Sequence, residues 1–95
     1  MHITSVKVNL REENTLKGFA SICFDDCFVV HGLRIVEIKN RMLIAMPSKK
    51  KTLAGSDEWV YKDIAHPISS EFRQEMEKVV LAEYFRVYQE FQNDR

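Results

Sequence analysis

A chain of 95 residues, 45% hydrophobic and carrying ten aromatic side chains (six Phe, three Tyr, one Trp), is one small folded domain, too short for two cores and too apolar for a disordered tail. Fourteen Lys and Arg balance fourteen Asp and Glu, which argues against the strongly basic surface usual in a tight nucleic-acid binder. The balance is uneven, however: residues 1–66 carry ten basic against eight acidic side chains and residues 67–95 four against six, so a slightly basic sheet region and an acidic helix can share a neutral chain.

His2-Ile3-Thr4-Ser5-Val6-Lys7-Val8 alternates in polarity and has no apolar signal core, so nothing points to secretion and a cytoplasmic protein is expected. Val6, Val8 and Leu10 share one face of a first strand over residues 2–10. Residues 11–17 read as a polar loop, and a second strand over residues 18–24 places Ala20, Ile22 and Phe24 on one side. A two-residue hairpin turn at Asp25-Asp26 would set Phe24 opposite Cys27 and Cys23 opposite Phe28. The two thiols would then point to opposite sheet faces, and both are expected reduced. A third strand over residues 27–39 is expected to bend or bulge at Gly32.

Asn40-Arg41 reads as a turn, followed by a short apolar strand over residues 42–46. This is the longest apolar run of the chain and falls far short of a membrane span. Pro47 cannot donate to a ladder and should end that strand. Residues 47–57 are expected to form a long polar loop, and a fifth strand over residues 58–65 leads to Pro67, which holds His66 extended.

From Ser69 or Ser70, either of which can serve as N-cap, the period changes to that of a helix reaching residue 92. One apolar stripe runs through Phe72, Met76, Val79, Val80, Val87 and Phe91, and a second through Leu81, Phe85 and Tyr88. That arc is wider than one small sheet needs. A helix of about twenty residues is ~30 Å long and outspans such a sheet, so the second stripe is expected at a homodimer interface. The alternative is a helix deeply embedded in its own domain. The fold class is therefore α+β: an antiparallel meander of about five strands followed by a C-terminal helix.

Three blocks stand out in order: Phe28-Val29-Val30-His31-Gly32-Leu33-Arg34-Ile35-Val36, Ala45-Met46-Pro47-Ser48-Lys49 and Asp63-Ile64-Ala65-His66-Pro67-Ile68. Together they resemble the bacterial SpoVG family, known for stage V sporulation protein G and septation regulation. The resemblance covers most of the chain. It implies a small homodimer that binds nucleic acid, DNA first and RNA as a further candidate, and regulates transcription. It also implies a basic, nucleic-acid-binding segment after the Met-Pro-Ser turn, which falls on Lys49 and Lys50 with Lys51 and Thr52 close behind. The chain departs from the family pattern next: Leu53-Ala54-Gly55-Ser56-Asp57-Glu58 stands where a shorter Pro-Asp-Gly-like turn is usual.

Lys49-Lys50-Lys51 is the only dense charge cluster. Lysines act as point charges on phosphate, so they give affinity more than base discrimination, although a lysine run can also be a plain solvated surface. Arg34 and Lys62 would extend the basic surface, or simply fill polar positions of alternating strands. Trp59 and Tyr61, at strand spacing, could stack on unpaired bases or pack a sheet. Cys23, Cys27, His31 and His66 lack the spacing of a zinc site. Ser48, Asp63 and His66 have the residue types of a hydrolase triad without a nucleophile elbow. No catalytic residue, metal, cofactor, small-molecule substrate or membrane contact is expected. The rival to a DNA-binding regulator is a protein-interaction module in cell division or signalling, with a small metal-dependent enzyme a distant third.

Overall fold

Alternation near the N-terminus builds a four-stranded antiparallel meander. In the computed structural model, which describes residues 1–93, β1 (Ile3–Leu10), β2 (Leu16–Phe24), β3 (Phe28–Ile38) and β4 (Arg41–Ala45) lie side by side in chain order. Next, β5 (Ser48–Thr52) and β6 (Trp59–Asp63) pair as a separate two-stranded antiparallel sheet, and α1 (Ser70–Asn93) follows. The α+β architecture is as expected. The extra strand is β5, in a segment predicted to be loop.

One face of the meander carries Val8, Ala20, Ile22, Phe24, Leu33, Ile35 and Ile44, which bury together with Met46 and with Met76, Val80 and Tyr84 of α1. Bulges between β2 and β3 keep these residues in phase. Ala20 pairs with Leu33 but Ile22 with Val30, so Ser21 faces two residues, His31 and Gly32. The extra residue lets Val30 and Leu33, three apart, share the core face. Gly32 adopts φ 87°, a left-handed conformation that glycine takes without a Cβ clash. The bulge expected at Gly32 is therefore real. A second lies at Lys17, between the Leu16–Val36 and Gly18–Ile35 pairs.

The turns differ by a residue from the sequence reading. Asp25 and Asp26 both have positive φ, and the amide of Cys27 donates to the Phe24 carbonyl at 3.0 Å. Ladder pairing resumes one residue later, with Phe24 opposite Phe28 and Cys23 opposite Val29. Cys23 is half-buried in β2 and Cys27 exposed in the turn, both as free thiols. The next turn is Lys39-Asn40, both left-handed, rather than Asn40-Arg41; Ile38 and Arg41 close the ladder around it.

Ser69 is the helix N-cap: its Oγ accepts from the Phe72 amide at 3.1 Å. The buried line of α1 is Met76, Val80 and Tyr84, at successive steps of four. Tyr84 belonged to neither expected stripe. Phe72, Leu81 and Val87 pack partly buried beside that line, whereas Phe85 is 51% exposed.

Candidate nucleic-acid interface

The lysine cluster lies on a strand. β5 pairs Ser48 with Asp63, Lys49 with Lys62, Lys50 with Tyr61, Lys51 with Val60 and Thr52 with Trp59. Directly opposed residues share a face and successive ones alternate, so the expected single cluster divides. Lys49, Lys51 and Lys62 project from one side with Val60, and Ser48, Lys50, Thr52, Trp59, Tyr61 and Asp63 from the other. The segment reads as loop in the sequence because Ser-Lys-Lys-Lys-Thr has no apolar alternation. Its strand character comes from the partner, β6.

The first side is a concentration of positive charge. Lys49 sits directly across from Lys62, a like-charge pair that disfavours the hairpin unless an anion lies between the ammonium groups. No ion pair among the described residues engages Lys49, Lys51 or Lys62. A shallow groove of about 400 Å³ at the hairpin is lined by all four lysines, Lys50 included, and Asp63 is its only carboxylate.

The second side is an aromatic–cation ladder. The Lys50 ammonium lies 4.2 Å from the Trp59 ring centroid, Trp59 meets Tyr61 edge to face at 5.1 Å, and the Arg34 guanidinium lies 5.9 Å from the Tyr61 ring. Arg34 Nη2 also donates to Ser48 Oγ at 3.0 Å. Half-buried on β3, Arg34 therefore braces the hairpin against the main sheet rather than standing free in solvent. The Ile64 amide adds a bond to the Pro47 carbonyl at 2.8 Å, at the root of the hairpin. Thr52 is exposed opposite Trp59.

The other expected contact residues lie on α1. Leu81 is half-buried against the core, so it belongs first to its own domain. Phe85 and Tyr88 are exposed at 51% and 40% and cluster with the buried Tyr84 at ring separations of 5.2 and 6.0 Å. Burial, with smaller contributions from Tyr88 and Glu37, raises the Tyr84 phenol above its ordinary value. Next to Phe85, Arg86 bonds Glu83 and Glu90 at 2.6–2.8 Å, and its hydrogen bond holds the Glu83 carboxyl below the usual range.

The match to known proteins covers the sheet and most of the helix. The SpoVG family model matches residues 1–86. A Phytoplasma australiense relative is 45% identical over 85 residues, spanning 88% of this chain and 83% of its own. Relatives from Treponema denticola and Myxococcus xanthus are 46% and 42% identical, covering 88% and 90% of this chain and 86% and 82% of theirs. All three bear a septation-protein SpoVG name. The chain belongs to the SpoVG family.

The remaining candidates of this SpoVG-family chain have other engagements. His31 Nδ1 lies 2.7 Å from Ser21 Oγ at the bulge. Ser48 Oγ accepts from Arg34, and His66 Nδ1 lies 3.0 Å from the Pro67 carbonyl, so the hydroxyl and the imidazole are each engaged elsewhere. Among the described residues no three His, Cys, Asp or Glu converge as metal ligands, and no helix is long and apolar enough to cross a membrane. The sequence reading missed an apolar cavity of about 440 Å³ between the β2–β3 turn and the start of α1, lined by Phe24, Phe28, Met46, His66 and Phe72 among others. The only signal for it was the apolar run around residues 28–30.

Proposed function

We propose that this protein is a nucleic-acid-binding regulator of gene expression, chiefly of DNA, acting as a homodimer through the β5–β6 hairpin. One observation carries the reading: Lys49, Lys51 and Lys62 share a hairpin face, with a like-charge pair across the strands and no acidic partner among the described residues. A polyanion relieves that repulsion by placing phosphate between the ammonium groups, and each phosphate neutralised also releases condensed counterions. The contact is with the backbone, so the hairpin supplies affinity and position rather than base identity. Two hairpins in a dimer double the charge facing one duplex. Exposed Phe85 and Tyr88 support the dimer contact, since aromatic side chains are enriched in the cores of such interfaces. Titrating a labelled duplex at increasing salt tests the reading: binding that weakens steeply with salt and depends on the three lysines is expected, and no binding at low salt would refute it.

The same exposed aromatics favour a second reading, a protein-interaction module in cell division, in keeping with the septation names of the relatives. In that case Phe85 and Tyr88 variants lose a protein partner, and lysine variants change nothing.

A further inference from the structure

Trp59 and Tyr61 are 47% and 61% exposed, and no residue of β6 is buried. An aromatic pair on a two-stranded sheet with no core beneath it has unused stacking surface. A duplex on the lysine face would not use it, because Trp59 and Tyr61 project from the opposite side of the hairpin and paired bases hide their faces inside the stack. The missing ligand is a flat, exposed π-surface attached to negative charge.

We propose that the Trp59–Tyr61 face is a stacking platform for unpaired bases, so that the hairpin binds single-stranded nucleic acid on the side opposite its duplex-binding lysines. The proposal rests on the reading of this hairpin as a nucleic-acid interface. Three features of the face suit that ligand. Trp59 and Tyr61 stand one strand repeat apart, about 6.5 Å along the backbone, and their rings meet edge to face at 5.1 Å, so Tyr61 buttresses the Trp59 ring and the exposed Trp59 face is left for a base. Arg34 fixes Tyr61 from below and, through Ser48, fixes the hairpin against β3, so the platform is preorganised. Lys50 caps the Trp59 ring in the free protein. A base stacked on that ring gains more than an exposed ammonium does, and the displaced ammonium remains on the same face to meet the adjoining phosphate. Stacking of this kind tolerates any base, since every base has a π-face.

Trp59 is the only tryptophan, so its emission reports the platform in the unmodified protein. Full-length protein is titrated with a thymidine homopolymer, a uridine homopolymer and a mixed-sequence duplex. Expected is strong quenching by one or both homopolymers, the tighter of the two identifying DNA or RNA as the source, and little quenching by a saturating duplex. Trp59→Ala should weaken single-strand binding by about 5- to 150-fold while sparing duplex affinity, and Trp59→Phe should recover most of the loss. The proposal is overturned if emission is unchanged by homopolymers under conditions where the duplex saturates, or if Trp59→Ala binds single strands like wild type. It is also overturned if emission shifts with protein concentration alone, which assigns the face to a second copy of the chain. Failure of duplex and single strand alike overturns the underlying interface reading instead. Should Trp59→Ala disrupt the hairpin, the wild-type quenching still decides.

Discussion

Alanine at Lys49, Lys51 and Lys62 removes the ammonium groups of one hairpin face and leaves Lys50 over Trp59 on the other. With one phosphate neutralised by each lysine, a single hairpin contributes a slope of about −2.7 in log K against log salt, and two hairpins fully engaged on one duplex about −5.4. Partial engagement of the second hairpin gives about −3 to −4.5. Between about 50 and 200 mM salt, one engaged hairpin and two correspond to losses of about 40-fold and about 1,800-fold in affinity. Fluorescence anisotropy of a labelled duplex across that range measures the slope. The triple variant should flatten it and weaken specific and random sequences alike. Its fold should be intact, because removing the Lys49–Lys62 repulsion does not destabilise the hairpin. Lys50→Ala, altering the opposite face, should leave the duplex slope nearly unchanged. A triple variant with the wild-type slope refutes the assignment, and so does a Lys50→Ala variant that flattens the slope as much as the triple.

Light scattering should give a dimer mass for the wild type and a monomer for Phe85→Glu combined with Tyr88→Glu, with unchanged circular dichroism, because these rings are exposed in the protomer and a buried unpaired charge is costly; a monomeric wild type at micromolar concentration refutes the dimer. A Cβ at Gly18 would lie 2.8 Å from the Asn9 carbonyl oxygen, so Gly18→Ala should cost about 1–3 kcal/mol by overpacking, and an unchanged melting temperature would contradict the β1–β2 packing. Tyr84 holds its proton more tightly folded than unfolded, its ordinary value being 10.0, so the stabilisation is complete below that pH and is lost as pH rises through the raised value. Tyr84→Phe should reduce this alkaline loss in thermal melts, and identical pH profiles for variant and wild type would show the phenol to be unburied.

The meander and helix were legible because burial imposes a period: two in Val6, Val8, Leu10 and in Ala20, Ile22, Phe24, and that of a helix in Met76 and Val80. Gly32 was legible as a bulge because a strand interior rarely keeps a glycine without a backbone reason. β5 was not legible, since all its side chains face solvent or half-solvent and only pairing with β6 makes it a strand. For the same reason three consecutive lysines looked equivalent, although the pleat sends Lys50 to the aromatic face and Lys49 and Lys51 to the other. Arg34 looked like one more surface cation, and its bracing role appears only when β3 and β5 come together. On α1 the sequence could not say which apolar stripe the sheet would cover, and Tyr84 is buried where a polar tip made it the less obvious choice.

Nucleic acid bound on the lysine face of the β5–β6 hairpin would be seen residue by residue in backbone amide resonances followed while a random-sequence duplex is added at low salt. Shifts concentrated at residues 48–52 and 59–63, and reversed by added salt, are expected. An absence of shifts, or shifts confined to α1 around Phe85 and Tyr88, would contradict binding at this face.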